Sequence, residues 1–228
     1  CAAVFGIASV LFQFAYSNAM KHGSVALTVF INSFHLIFPI ALSAVLYGEI
    51  PHASQYIGLV FLIYSVYMIV VKKDGGEKNK NITLQWIVSV TACTFCAGCT
   101  VSAQKIHQHT AFKSEYSQFI VCAYIIAAVL SYIMFLYFKF AKHEKSGIPI
   151  DAKTLGFAAL IGAVLGLYNS GMLYYSGIIN SVILNPTVNI SSVLWSTVYG
   201  AVLFRERLTK NQKIGFAAGI ISIFLITI

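Results

Sequence analysis

Acidic side chains are scarce in this sequence. Seven Asp and Glu stand among 228 residues, and only 10% of the chain is charged while 58% is hydrophobic. A soluble domain carries about 25% charged residues, and a chain this apolar has too little polar surface to meet water on all sides. That excludes a water-soluble globular domain. No carboxylate falls in the middle of an apolar run, so the paired aspartates of an intramembrane protease are missing. The five cysteines (Cys1, Cys93, Cys96, Cys99, Cys122) all lie inside apolar stretches, which excludes a secreted disulfide framework. The period-2 alternation of an outer-membrane barrel is absent. An initiator Met and a basic leader region are also missing, and the chain opens at Cys1 inside an apolar run. It is therefore expected to be a fragment with sequence upstream.

What is present is a series of long apolar stretches. Eight are read as transmembrane helices: 2–20, 24–47, 53–72, 83–106, 116–141, 153–177, 180–203 and 210–228. Each is near the ~20 residues needed to cross a hydrocarbon core of about 30 Å, and in lipid only a helix satisfies its own backbone. The expected fold class is an all-α polytopic membrane bundle, with the lipid bilayer as solvent. The net charge of +8 arises from short Lys and Arg clusters between these stretches. No basic groove interleaved with aromatics exists, so no nucleic acid is expected as partner. The loops after the first, third, fifth and seventh spans carry 13 of the 15 Lys and Arg. Only Lys105 and Lys113 break the alternation. The positive-inside rule places the rich loops in the cytoplasm.

The chain also repeats itself. Ala44-Val-Leu-Tyr-Gly-Glu49 is matched by Ala201-Val-Leu-Phe-Arg-Glu206, an offset of 206 − 49 = 157. At that offset Asn32 meets Asn189, Gln55 meets Gln212, Gly58 meets Gly215 and Ser65 meets Ser222. The helix before each copy ends alike, around Tyr16-Ser-Asn-Ala-Met20 and Tyr168-Asn-Ser-Gly-Met172. The period is five helices, and an odd period inserts the two copies upside down relative to each other. Inverted repeats belong typically to secondary transporters, with the site near the midplane where the halves meet. Residues 1–72 would then be the last three helices of a truncated first repeat, 73–82 the connecting loop, and 83–228 a complete second repeat.

On these residues, Tyr16 through Glu49 (with Pro39 ten positions before Glu49), Gln55 and Gly58, and again Tyr168 through Glu206, Gln212 and Gly215, the chain resembles the drug/metabolite transporter superfamily in its EamA-type ten-helix form. It would correspond to helices three to ten. It departs in having Ser196 in place of proline ten residues before Glu206, and in lacking the first helix pair. The resemblance implies an alternating-access carrier of small metabolites or drugs, with both termini cytoplasmic. That is the opposite orientation to the one the charge count gives.

Polar groups deep in a span face protein or a cavity. His35, near the middle of the second span, is a candidate for coupling transport to protons, or a hydrogen-bonded structural histidine. Asn185, Asn189 and Ser192 share a face of the seventh span beside Pro186, which removes a backbone donor. They are expected to line a substrate site or to bond between helices, with Asn32 opposite as the repeat mate of Asn189. Gln13, Tyr16, Tyr168, Asn169 and Trp195 are further lining candidates, against packing of the bundle. Cys93, Cys96 and Cys99 are read as small residues for close helix packing, and neither metal nor cofactor is expected. Glu49 and Glu206 are expected at span ends, bonding the next loop. The function expected is small-molecule transport in the cell membrane, without catalysis. The alternatives are a scaffold or regulatory subunit, and after that a membrane-embedded enzyme.

Overall fold

In the computed structural model, residues 1–23, 25–70, 83–110, 114–141, 151–203 and 210–228 are described. Among them every regular element is helical: α1 (Ala2–His22), α2 (Val25–Asn32), a 3-10 turn (Ser33–Leu36), α3 (Ile37–Tyr47), α4 (Ala53–Val70), α5 (Leu84–Gln108), α6 (Tyr116–Ala141), α7 (Ala152–Ser176), α8 (Ser181–Leu203) and α9 (Lys210–Thr227). Among the described residues, five segments are long and apolar enough to cross a membrane: Ala2–His22, Thr28–Tyr47, Leu84–Gln108, Tyr116–Tyr137 and Ala152–Ser176. The 73–82 loop and Glu206 lie outside the described residues.

Helix ends follow local chemistry. Thr83 caps α5 by accepting from the Trp86 N–H at 3.2 Å, and Asp151 caps α7 by accepting from the Thr154 N–H at 2.8 Å. Gly48 ends α3 with φ 67, a left-handed conformation open to glycine. Pro51 then prevents the helix from resuming.

Two boundaries differ from the sequence expectation. The second span is not one regular helix, because Ser33–Leu36 is a 3-10 turn. The cause is Pro39, which lacks the N–H that would reach the His35 carbonyl and whose ring crowds that carbonyl. The Ser33 hydroxyl and His35 Nδ1 donate to the Val29 and Asn32 carbonyls, at 3.1 and 2.7 Å. The fourth span runs on to Gln108 and so includes a second histidine, His107, which is buried.

Among the described residues, three clusters form the core. Ala19, Trp86, Val90 and Cys93 join α1 to α5. Phe5, Ala103, Phe119, Ile120, Ala123 and Leu173 join α1 and α5 to α6 and α7. Leu36, Leu62, Val66, Ile69, Ile190 and Leu194 join the 3-10 turn, α4 and α8.

α4 and α9 form a seam that treats repeat mates alike. The Ser65 hydroxyl donates to the Gly215 carbonyl at 2.7 Å, and the Ser222 hydroxyl donates to the Gly58 carbonyl at 2.8 Å. A Cβ on Gly58 would stand 2.6 Å from Ile226 Cγ1, and one on Gly215 2.7 Å from Ile69 Cγ1. Ile69 and Ile226 are themselves 157 apart (226 − 69). The start of each helix thus meets the end of the other, so they run antiparallel.

Candidate functional site

Four helices border a half-open cavity whose largely apolar wall carries several polar side chains. It measures about 370 Å³ and lies between α1 (Phe5, Ser9, Phe12, Gln13), α5 (Thr100), α6 (Tyr124, Ser131) and α7 (Leu165, Asn169). That volume falls in the range of ligand pockets. α1 precedes residues 73–82 in the sequence and the other three helices follow them.

Its polar wall is a hydrogen-bonded unit centred on Asn169. The Asn169 amide donates to the Tyr124 hydroxyl at 2.8 Å and to the Leu165 carbonyl at 2.9 Å. Tyr124 donates in turn to Leu165 at 3.2 Å, and Gln104 Nε2 donates to Asn169 Oδ1 at 3.4 Å. The opposite wall presents Phe5 and Phe12 from α1.

Toward one end of the bundle the cavity is covered. Ala103, Phe119 and Leu173 lie about one helical turn beyond Thr100, Tyr124 and Asn169, and Phe5 meets Phe119 edge to face at 5.7 Å. Past this plug, Glu49 Oε1 pairs with Lys105 Nζ at 2.6 Å, with side-chain exposures of 13% and 3%. Glu49 Oε2 accepts from the Ser181 N–H at the start of α8, at 3.1 Å. The helix N-terminus favours that negative charge. The Ser43 hydroxyl donates to Ser181 Oγ at 2.8 Å. Glu49 therefore ties α3 to α5 and α8; it was expected to bond the next loop. Lys105 is not a loop cation at all, which removes one of the two exceptions to the charge alternation.

Of the ten residues singled out in the sequence, two line this cavity: Gln13 and Asn169. Tyr16 stacks on Phe12 with ring centroids 5.4 Å apart and packs on the Trp86 cluster. Asn32 accepts from the Cys93 thiol at 3.7 Å, and its carbonyl is taken by His35. Asn185 is buried and bonds back to the Ser181 carbonyl of its own helix at 3.3 Å. Ser192 bonds to the Asn189 carbonyl at 2.8 Å. Asn189 Oδ1 is buried with no partner among the described residues. Tyr168 and Trp195 are 51% and 60% exposed, and neither lines the cavity. α8 stays continuous through Pro186, since the lost donor would have reached Val182 in its first turn. Cys93 is fully buried in a core cluster, and Cys96 and Cys99 are half-buried. Among the described residues no group of His, Cys, Asp and Glu is arranged to hold a metal ion.

Sequence reasoning missed Tyr124, Thr100, Ser9 and Ser131. They lie on long, largely apolar helices, and only helix rotation tells which polar residues face inward.

No family model and no curated protein matches the chain. Among solved structures, one described simply as "Crystal structure of protein" matches with a TM-score of 0.68 at 16% identity, covering 100% of this chain and 76% of its own. That likeness shows the fold. The chain shares a helical architecture already seen in a crystal.

Proposed function

We propose that this chain is part of an alternating-access carrier of small metabolites or drugs, a multi-pass protein of the cell membrane. The observation that carries the reading is the position of the cavity, between α1 of the first unit and α5, α6 and α7 of the second. Carriers built from inverted repeats hold their substrate at such a boundary. The reciprocal seam of α4 and α9 supports an inverted duplication. On this reading residues 1–72 are the last three helices of the first five-helix repeat and 83–228 the whole of the second, as in the EamA-type drug/metabolite transporters that the sequence resembles. The hydrophobic plug and the Glu49–Lys105 pair at one end support a carrier held closed on that side. Opening that end requires the pair to part, an exchange that alternating access provides. No catalytic role is assigned to any residue.

Counterflow in proteoliposomes tests the proposal, using the full-length protein and a panel of amino acids, nucleobases, sugars and cationic drugs. Saturable exchange of one class, weakened by Gln13→Ala, is expected. Silence across the panel from monodisperse, folded protein would overturn it in favour of a scaffold or regulatory subunit.

A further inference from the structure

The hydrogen-bonding polarity of the cavity narrows the cargo. The Ser9 hydroxyl donates its proton to the Phe5 carbonyl at 2.7 Å, and Thr100 donates to the Ala97 carbonyl at 2.7 Å. Tyr124 gives its proton to Leu165. Both amide hydrogens of Asn169 are engaged, by Tyr124 and Leu165. A hydroxyl or amide whose protons are committed to helix carbonyls presents only oxygen lone pairs to a ligand. This wall therefore accepts hydrogen bonds and hardly donates them. Gln13 and Ser131 have no hydrogen bond to a described residue and supply the few donors.

No charged side chain is among the described residues that line the cavity. An anion would meet lone pairs on every polar wall and no cation to balance it. A cation would suit the lone pairs and the aromatic faces, but a cation–π contact is a small return against stripping an ion of its water with no counter-charge. The Phe5 and Phe12 side of the cavity asks for an apolar or π face on the solute.

We infer that the cavity takes an uncharged solute rich in hydrogen-bond donors on one edge and apolar on one face, the chemistry of a nucleoside. The inference rests on the carrier reading and sets its substrate class. Ser9, Thr100, Tyr124 and Asn169 meet the donors of the solute, Gln13 and Ser131 meet its acceptors, and the two phenylalanines meet its flat face.

Three probes of one scaffold isolate charge: uridine, its anionic 5′-monophosphate, and cationic 5′-amino-5′-deoxyuridine. In counterflow with the full-length protein, uridine is expected to exchange at least about tenfold faster than either charged analogue, given the cost of an unpaired charge at depth. Ser131→Asp, which puts a carboxylate in the cavity, is expected to bring the amino analogue up to or past uridine. Charged analogues moving as fast as uridine in the unaltered protein would overturn the charge exclusion while leaving the carrier reading intact. Transport of another class from the broader panel, with all three uridine probes inert, would overturn the nucleoside-like chemistry alone. Inertness toward both panels would overturn the carrier reading and this inference with it.

Discussion

The Ser65 hydroxyl reaches the carbonyl of Gly215, and 157 residues on its mate Ser222 reaches the carbonyl of Gly58. Such reciprocity is what a two-fold relation between α4 and α9 produces, because each contact is made twice with the roles exchanged. Both glycines are needed, since a Cβ at either would fall 2.6–2.7 Å from an isoleucine side chain.

The seam makes a symmetric prediction. Ser65→Ala and Ser222→Ala should each lower stability by about 0.6–1 kcal/mol, the usual worth of a hydrogen bond between helices in a membrane. Gly58→Ala and Gly215→Ala should cost more, about 1–3 kcal/mol, through overpacking. Thermal unfolding in detergent of all four variants is the measurement. Members of a pair that differ severalfold would argue against equivalent environments.

The Glu49–Lys105 pair is buried, so breaking it from one side is expected to be severe. Glu49→Gln leaves Lys105, 3% exposed, without its counter-charge, and about 3–5 kcal/mol is the usual cost. The double variant Glu49→Gln, Lys105→Met removes the stranded charge and should recover much of the loss. A double variant no more stable than Glu49→Gln would show that the carboxylate acts mainly through its bond to the Ser181 N–H.

Gln13 and Asn189 separate two possible binding faces. Gln13→Ala is expected to slow counterflow by about tenfold with little change in melting temperature, because its amide makes no hydrogen bond to a described residue that the variant would lose. Asn189→Ala removes a buried oxygen that has no partner among the described residues. It should leave stability unchanged or raise it, the penalty for such an atom being about 1–3 kcal/mol. Paired rate and melting measurements on both variants decide. Full loss of transport in Asn189→Ala, with Gln13→Ala normal, would move the binding face to α8.

Gly23 is crowded by an indole. A Cβ there would run into Trp86 Cδ1, while Trp86 Nε1 donates to Thr28 Oγ1 at 2.9 Å. Gly23→Ala must displace the ring, break that bond and loosen the junction of α1 and α2. The expected cost is about 1–3 kcal/mol, with a change in the fluorescence of a tryptophan that is only 5% exposed. Unaltered emission and stability would mean that the chain at Gly23 adjusts in place of the ring.

Much of the helical layout was legible in the order of residues. Apolar runs of membrane length bounded by Lys clusters, by Gly48 and Pro51, and by capping residues such as Thr83 and Asp151 mark where helices begin and end, because those effects act within a few residues. The 157-residue offset, too, was plain before any fold was known. Pro39 was visible, but its consequence, a 3-10 turn that sets His35 off the helix path, depends on how the chain relieves the lost bond.

Which polar residues converge was decided by tertiary structure. In a soluble helix the apolar stripe names the inward face. In a helix that packs on one side and meets lipid on the other, both sides are apolar, and the period carries little information about rotation. Gln13 and Asn169 therefore could not be told apart in the sequence from Tyr168 or Trp195, which stand exposed. Asn185 shares a helical face with Asn189, yet it turns back onto its own backbone. Lys105 read as a stray loop charge until Glu49, 56 residues away in sequence, stood beside it. The composition and pattern of this chain determined that it forms long apolar helices. The packing of those helices, through contacts between residues far apart in sequence, determined which polar side chains share a cavity and where the Glu49–Lys105 pair forms.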